Sequence, residues 1–412
     1  MSAGGPTNSS APSPQRPIRL AYLVSHPIQY QAPLLRLIAQ QPDIDLTVFF
    51  GSDFSVRGYM DTGFGVDVLW DVPLLDGYKH EFLPPIRDNA TASVFSPISR
   101  GVFNRLRAGN FDALWVHGYS SVNAVQGILA ARALGIPVLC RVESWLRDRT
   151  RTGPLLAAKQ LYFKLLRRLI DGVLPIGTLN SEYWSHYLGP TVPQFLMPYA
   201  VDNEYFQRQA AAAAPARLAL QQELNLDPTR PVILFASKLQ SRKHCDHLLE
   251  AYLRLSPAPG TEPHPYLLIV GDGHERAALE DRARATGLAS IQFLGFRNQS
   301  ELPRFFDLAS VFVLPSRHEP WGLIVNEVMN AARPVILSDD VGCQPDLITD
   351  GVEGCVYPVG NIDALTGALR RVLATPETPA IMGQRALDRI KRWSFEQDIH
   401  GLRAALRAVT GR

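Results

Sequence analysis

The chain lacks most of what would mark it as secreted, metal-bound or membrane-spanning. Its four cysteines (Cys140, Cys245, Cys343 and Cys355) are scattered, with no C-x-x-C pair and no histidine at ligand spacing. A disulfide framework and a zinc site are therefore not expected, and a reducing cytoplasm fits best. No uncharged apolar run reaches the ~20 residues that a bilayer requires. The opening Met1–Pro17 is rich in Ser, Pro, Gly and Asn and has neither early positive charge nor an apolar segment; it reads as a disordered tail and not a signal peptide. Charge of one sign is missing too. A formal net charge of +2 over 412 residues, without a sustained basic stripe carrying aromatics, argues against a nucleic-acid partner. No G-x-G-x-x-G fingerprint occurs, so a dinucleotide cofactor is poorly supported. No D-x-D chelating motif sits on a credible loop, and neither metal nor cofactor is expected.

What is present is an α/β pattern, repeated. The length exceeds what one core usually supports, so two domains are the default. Apolar runs suited to buried parallel strands occur at Ile18–Ser25, Asp45–Gly51, Ala113–His117, Val138–Val142 and Gly172–Ile176, with helical periodicity between them near 33–40, 121–134 and 154–170. Asp202–Pro231 breaks the rhythm with an Ala-rich run, Pro215, one short helix near 216–223 and the turn Asp227-Pro228; it reads as an interdomain connection. The alternation then restarts, with strands expected at 232–236, 266–271, 291–294, 311–315 and 334–338 and helices at 244–255, 275–286, 299–309 and 322–331. A last helical segment, Phe395–Val409, has no strand to serve. The expected plan is a tail over 1–17, a first domain over 18–202, a linker over 203–230, a second domain over 231–393 and a terminal helix within 394–412.

The strongest chemical signal is the run His318-Glu319-Pro320-Trp321-Gly322-Leu323-Ile324-Val325-Asn326-Glu327. A strand ending at Pro315 delivers Glu319 to the carboxyl edge of a sheet, and Pro320 and Gly322 suit a turn into a helix. Unpaired N–H groups at that helix start favour an anion such as a diphosphate. Glu327 falls about one turn later, on the face of Leu323, so both carboxylates border one crevice. A carboxylate accepts two hydrogen bonds at once, which suits sugar and ribose hydroxyls. The plainer account is a pair of solvated glutamates. A second signal is Lys238, Arg242 and Lys243 on the loop after the first strand of the second domain, a candidate phosphate clamp weighed against an ordinary solvated basic loop. Third is Gly271-Asp272-Gly273, which by itself reads as a structural turn. Asp339-Asp340 likewise reads as a turn after a strand.

Together these segments resemble the glycosyltransferase family 4 group of GT-B fold enzymes. The order ASKLQSRK, IVGDGHE, FLGF, LPSRHEPWGLIVNEVMNAARPVI, SDDVG and LITDGVEGCVYPVGN follows that family's plan through the C-terminal half, and ALWVHG, GTLNSEYW and MPYAVDNEYF are thinner echoes in the N-terminal half. The resemblance implies a retaining transferase using a nucleotide-sugar donor, built from two Rossmann-like doubly wound domains facing across a cleft, with the terminal helix crossing back onto the first. It implies that Glu319 holds a hydroxyl of the donor sugar and Glu327 the ribose, and that backbone amides of Trp321, Gly322 and Leu323 contact sugar and diphosphate. Lys238 and Lys243 match the pair that neutralises the diphosphate. His117 matches a histidine facing the transferred sugar, and Gly295, Phe296 and Arg297 would border the base. Departures are visible: Lys238 stands where Arg is usual, so a point charge replaces a bidentate grip; Ala332 stands where Gly is usual; and the first loop is His26-Pro27-Ile28-Gln29-Tyr30-Gln31 in place of a Gly-rich one, which leaves His26 and Gln29 as acceptor-side candidates. A UDP-sugar is the first expected donor and GDP-mannose the second, with a saccharide or lipid-linked saccharide as acceptor. A nucleotide-sugar epimerase and a non-catalytic partner subunit of the same fold are the alternatives.

Positive charge collects between Arg141 and Arg168, which includes Arg147, Arg149 and Arg151 and the segment Lys159–Leu169. An apolar stripe with a cationic rim suits an anionic membrane surface, and equally a helix packed on its sheet with its charges in water.

Overall fold

A computed structural model describes residues 16–61, 63–147, 152–255 and 264–412. Most of the expected tail, and Arg149 and Arg151 of the basic cluster, lie outside these residues. Two six-stranded sheets, each fully parallel, carry the fold. The first is made from β1 (Ile18–Val24), β2 (Ile44–Phe50), β3 (Lys79–Phe82), β4 (Ala113–His117), β5 (Val138–Arg141) and β6 (Gly172–Val173), in the spatial order β3-β2-β1-β4-β5-β6. The second contains β7 (Val232–Ala236), β8 (Tyr266–Val270), β9 (Ile291–Gly295), β10 (Val311–Leu314), β11 (Val335–Ser338) and β12 (Gly354–Tyr357), in the order β9-β8-β7-β10-β11-β12. Each sheet thus runs outward in both directions from its first strand. In such sheets the crevice at the reversal point, outside the carboxyl ends, is where ligands sit; here that is between β1 and β4 and between β7 and β10.

The central strands read as unbroken apolar runs because helices cover both faces. VILFA of β7 and YLLIV of β8 are buried at every position, so register and burial come from the same residues. Two sheet strands escape the pattern. Lys79–Phe82 is half exposed and polar, and Gly354–Tyr357 opens on a glycine and carries only the run Cys-Val-Tyr. Two small antiparallel pairs, Tyr59–Asp61 with Val66–Val68 and Pro85–Arg87 with Ile98–Ser99, also lack an apolar signature.

The segment 203–230 is not a loose connection. Its alanine run forms the helix Asn203–Ala213, capped by the Asp202 carboxylate accepting from the Tyr205 N–H at 2.8 Å, and a second helix follows at Arg217–Glu223. Phe206 and Leu220 join the same core as Val232, Phe305 and Phe306, and Arg217 pairs with Asp307 at 2.6 Å. Alanine's helix propensity and one aromatic anchor make this a layer of the second half. The helix Phe395–Thr410, opened by a Ser394/Gln397 capping box, does cross back: Ile399, Leu402, Ala405 and Leu406 pack with Leu20, Tyr22 and Trp115 of the first sheet. The helix expected from Gly322 begins later, at Ile324, and Gly322 sits ahead of it at φ +87°.

Candidate functional site

The carboxyl edges of the two sheets face one another across a cleft of about 450 Å³, within the size range of small-ligand sites. The loop after β7 supplies its cations. Leu239, fully buried, anchors that loop, and its N–H donates to the Asp272 carbonyl at 2.8 Å. Gly271 and Gly273 explain how the loop lies so close: Cβ atoms there would stand 1.9 and 2.4 Å from the carbonyl oxygens of Ser237 and Leu239. The Gly-Asp-Gly turn is a packing requirement. A 3-10 turn at Ser241–Lys243 then brings Lys243 inward, where it is buried and ion-paired with Glu319, while Arg242 reaches the same carboxylate at 3.4 Å. Burial holds the Lys243 ammonium below its usual range, with Glu319 opposing that shift.

The loop after β10 and the helix it leads into supply the carboxylates. His318, at φ +51°, and Glu319 are braced by Asp340: the His318 N–H donates to its side chain at 2.8 Å and the Glu319 N–H to its carbonyl at 3.1 Å. Asp339-Asp340 is thus a structural turn, as its spacing suggested. Glu327 lies on the helix Ile324–Asn330, half-buried and facing the cleft. It makes no hydrogen bond or ion pair among the described residues, and desolvation pushes its carboxyl up to about 8. Such a group is ready to bind a hydroxyl as donor or acceptor.

Lys238, Lys243, Glu319, Glu327, Gly322, Leu323, Phe296 and Arg297 all line this one cleft, and His26 and Gln29 line it from the opposite half. Burial and then the neighbouring His117 lower the His26 imidazole to about 4, which keeps it neutral at ordinary pH. Three other residues singled out from sequence stand behind the wall. Gly295 is tied to the Gly271 N–H by its carbonyl at 2.8 Å. The Trp321 ring is buried, bonded to Asn326 at 3.0 Å and stacked on Trp393. His117 is one layer behind His26, 3.1 Å from Glu143 and 3.2 Å from Gln31. Gln31 accepts from Tyr22 at 2.7 Å, so its amide NH₂ donates to His117 Nδ1 and His117 Nε2–H donates to Glu143. Burial opposes ionisation of Glu143, but His117, Arg141 and Tyr199 outweigh it and hold its carboxyl near 2.

Asp61, Tyr59, Phe64 and Trp70 also line the cleft. Sequence reading missed them because isolated aromatics and one aspartate on a polar hairpin carry no periodicity or motif. One cluster of possible metal ligands exists among the described residues, His244, Asp246 and His247. It lies outside the cleft lining, and its two imidazoles stack face to face at 4.1 Å and 8°.

Comparison with known proteins agrees with this architecture. The family model for glycosyl transferases group 1 matches residues 217–389. The chain is 31% identical over 296 residues to the alpha-D-kanosaminyltransferase of Streptomyces kanamyceticus, covering 69% of this chain and 74% of that one. It is 28% identical to a GDP-mannose-dependent alpha-mannosyltransferase of Mycobacterium tuberculosis over 71% of this chain and 73% of that one. Among solved structures, HepE of Anabaena in complex with UDP superposes with a TM-score of 0.69 at 14% identity, over 94% of this chain and 99% of that one. The sucrose-phosphate synthase of Thermosynechococcus elongatus does so at 0.64 and 18% identity, over 94% and 97%. These two share the fold. With the sequence relatives added, the chain belongs to the group 1 glycosyltransferases and is a sugar-transferring enzyme of the GT-B fold.

Proposed function

We propose that the protein moves a sugar, with retention of configuration, from a nucleoside-diphosphate sugar to a saccharide or lipid-linked saccharide at the cytoplasmic face of a membrane. One observation carries the reading: two lysines from the segment after β7 and two carboxylates from the loop and helix after β10 converge on one cleft at the switch point of the second sheet. Lys238 and Lys243, with the amides at Gly322 and Leu323, face the phosphates, where charge develops as the leaving group departs. Glu319 and Glu327 hold sugar and ribose hydroxyls. The bond from the anomeric carbon to the phosphate oxygen breaks, a bond to the acceptor oxygen forms on the same face, and the acceptor's proton passes to the departing phosphate. No metal is assigned to this step. His26 and Gln29 form the acceptor side. A UDP-sugar is the first donor to test, supported by the likeness to a structure holding UDP, and GDP-mannose the second, supported by the mannosyltransferase relative.

The experiment is a thermal-shift screen of nucleotide sugars, since a ligand of the native state raises the melting point, followed by NMR assignment of the product's anomeric configuration. Stabilisation by none of them, or an inverted product, overturns the reading.

A membrane-surface role rests on the helix Gly153–Leu166 and the residues after it. Leu161 and Leu165 are 60% and 52% exposed, interleaved with exposed Lys164 and Arg168, a pattern that favours anionic headgroups. No helix among the described residues is long and apolar enough to cross a membrane. Liposome flotation with and without phosphatidylglycerol tests this, and equal recovery removes the surface role.

A further inference from the structure

The lysine that the donor reading gives to a diphosphate already has an anionic partner inside the protein. Lys238 Nζ donates to both carboxylate oxygens of Asp61, at 2.8 and 2.9 Å. Asp61 belongs to the other half of the molecule, at the end of the strand Tyr59–Asp61, and is only 9% exposed. Its position does not depend on Lys238 alone. The N–H groups of Gly63 and Phe64 donate to its Oδ1 at 2.8 and 3.0 Å, so the local turn holds the carboxylate out toward the cleft. The contact extends sideways: the Phe64 ring lies 4.7 Å from Lys238 Nζ and 4.8 Å from the Phe296 ring, and Asn298 donates to the Leu69 carbonyl at 2.8 Å.

A carboxylate at this distance occupies the side of the ammonium that a phosphate oxygen would take. One partly buried ammonium does not serve both anions, because the two negative groups would then face each other in a poorly solvated cleft. A ligand must therefore displace Asp61 to gain Lys238.

We propose that Asp61 is a specificity-determining residue that competes with the donor's diphosphate for Lys238 and so admits fully only ligands able to replace a built-in carboxylate. The inference rests on the donor role of Lys238 given above. A nucleoside has no charge to offer Lys238 and gains nothing by displacing Asp61, whereas a nucleoside diphosphate does. Selection of this kind works by exclusion as much as by attraction. The apparent affinity of the diphosphate is lowered by the fraction of molecules in which Asp61 holds the lysine.

Calorimetric titration of the full chain with UDP, GDP, uridine and guanosine, comparing the native protein with Asp61→Asn and Asp61→Glu, tests the competition. Asparagine keeps an oxygen for the Gly63 and Phe64 N–H groups but loses the charge. Asp61→Asn is expected to bind the preferred nucleoside diphosphate about fivefold to tenfold more tightly, with nucleoside binding unchanged and Asp61→Glu close to the native value. Equal or weaker diphosphate binding by a folded Asp61→Asn protein overturns the proposal. Should that variant fail to melt cooperatively, Asn298→Ala loosens the same interdomain contact without touching the carboxylate. It is expected to tighten diphosphate binding about twofold, and no change overturns the proposal as well. If neither diphosphate binds any form, the donor reading falls together with it; if all forms bind alike, only the competition falls.

Discussion

Glu327 and Lys243 illustrate how burial, more than residue type, sets the chemistry of the cleft. Glu327 has a desolvated carboxyl near 8 and no side-chain partner among the described residues; in the proposed donor role its loss is felt mainly in binding, and Glu327→Ala is expected to raise the donor KM with a smaller effect on kcat. In the proposed mechanism Lys243 faces the charge that develops during transfer, and Lys243→Ala is then expected to lower kcat about a hundredfold, the scale of removing one preorganised electrostatic contact. Steady-state kinetics with the true donor separate the two, and a normal turnover number in the Lys243 variant removes it from the mechanism. Asp398 shows the same principle away from the site. It is fully buried, 3.6 Å from Arg141, and desolvation outweighs that cation to raise its carboxyl to about 8. A carboxyl whose pKa is raised on folding binds its proton more tightly in the native state, so its contribution to stability is present at low pH and is lost as pH rises from the ordinary carboxylate range through 8. The melting temperature is expected to fall over that interval, and Asp398→Asn to flatten the fall. Ala332 carries strain of another kind, at φ +54°. Ala332→Gly is expected to stabilise the fold by about 0.5–1 kcal/mol, read as a shift of the urea midpoint.

At the scale of elements, the terminal helix Phe395–Thr410 closes the first half of the molecule even though it follows the second in sequence. Its Ile399, Leu402, Ala405 and Leu406 are buried against β1 and β4. Burial of each large apolar side chain stabilises by about 1.5–3 kcal/mol, so deletion of residues 395–412 exposes a face comparable in energy with the whole stability of a domain. Loss of a cooperative melting transition, or insolubility, is the expected result; a cooperative transition at the native temperature would show that the helix is dispensable. The helix was legible from its periodicity, but its docking partner was suggested only by family resemblance. The segment 203–230 shows the opposite failure. Its alanines and Pro215 read as a connection, yet Phe206 and Leu220 tie its helices into the second core, because two apolar side chains placed by tertiary contact outweigh a composition that resembles a linker.

Over the whole molecule, the repeated α/β rhythm determined the fold class. Parallel strands covered on both faces must be nearly continuous apolar runs, and ten of the twelve sheet strands announced themselves in that way. The sequence also placed Lys238, Lys243 and Glu319 on loops after strands, where a parallel sheet presents them, and Glu327 on the helix that follows, so their meeting in one cleft follows from a local pattern together with a general topological rule. What no local pattern contains is the other wall. Asp61 reaches Lys238 across 177 positions of chain, and His117 stands behind His26 and not beside the cleft, because β1 and β4 are neighbours only after the sheet has formed. Hydrophobic period and turn chemistry act over a few residues and are written in the sequence. Which side chain of one half faces which cation of the other depends on how two finished sheets meet, and only the tertiary structure decided that.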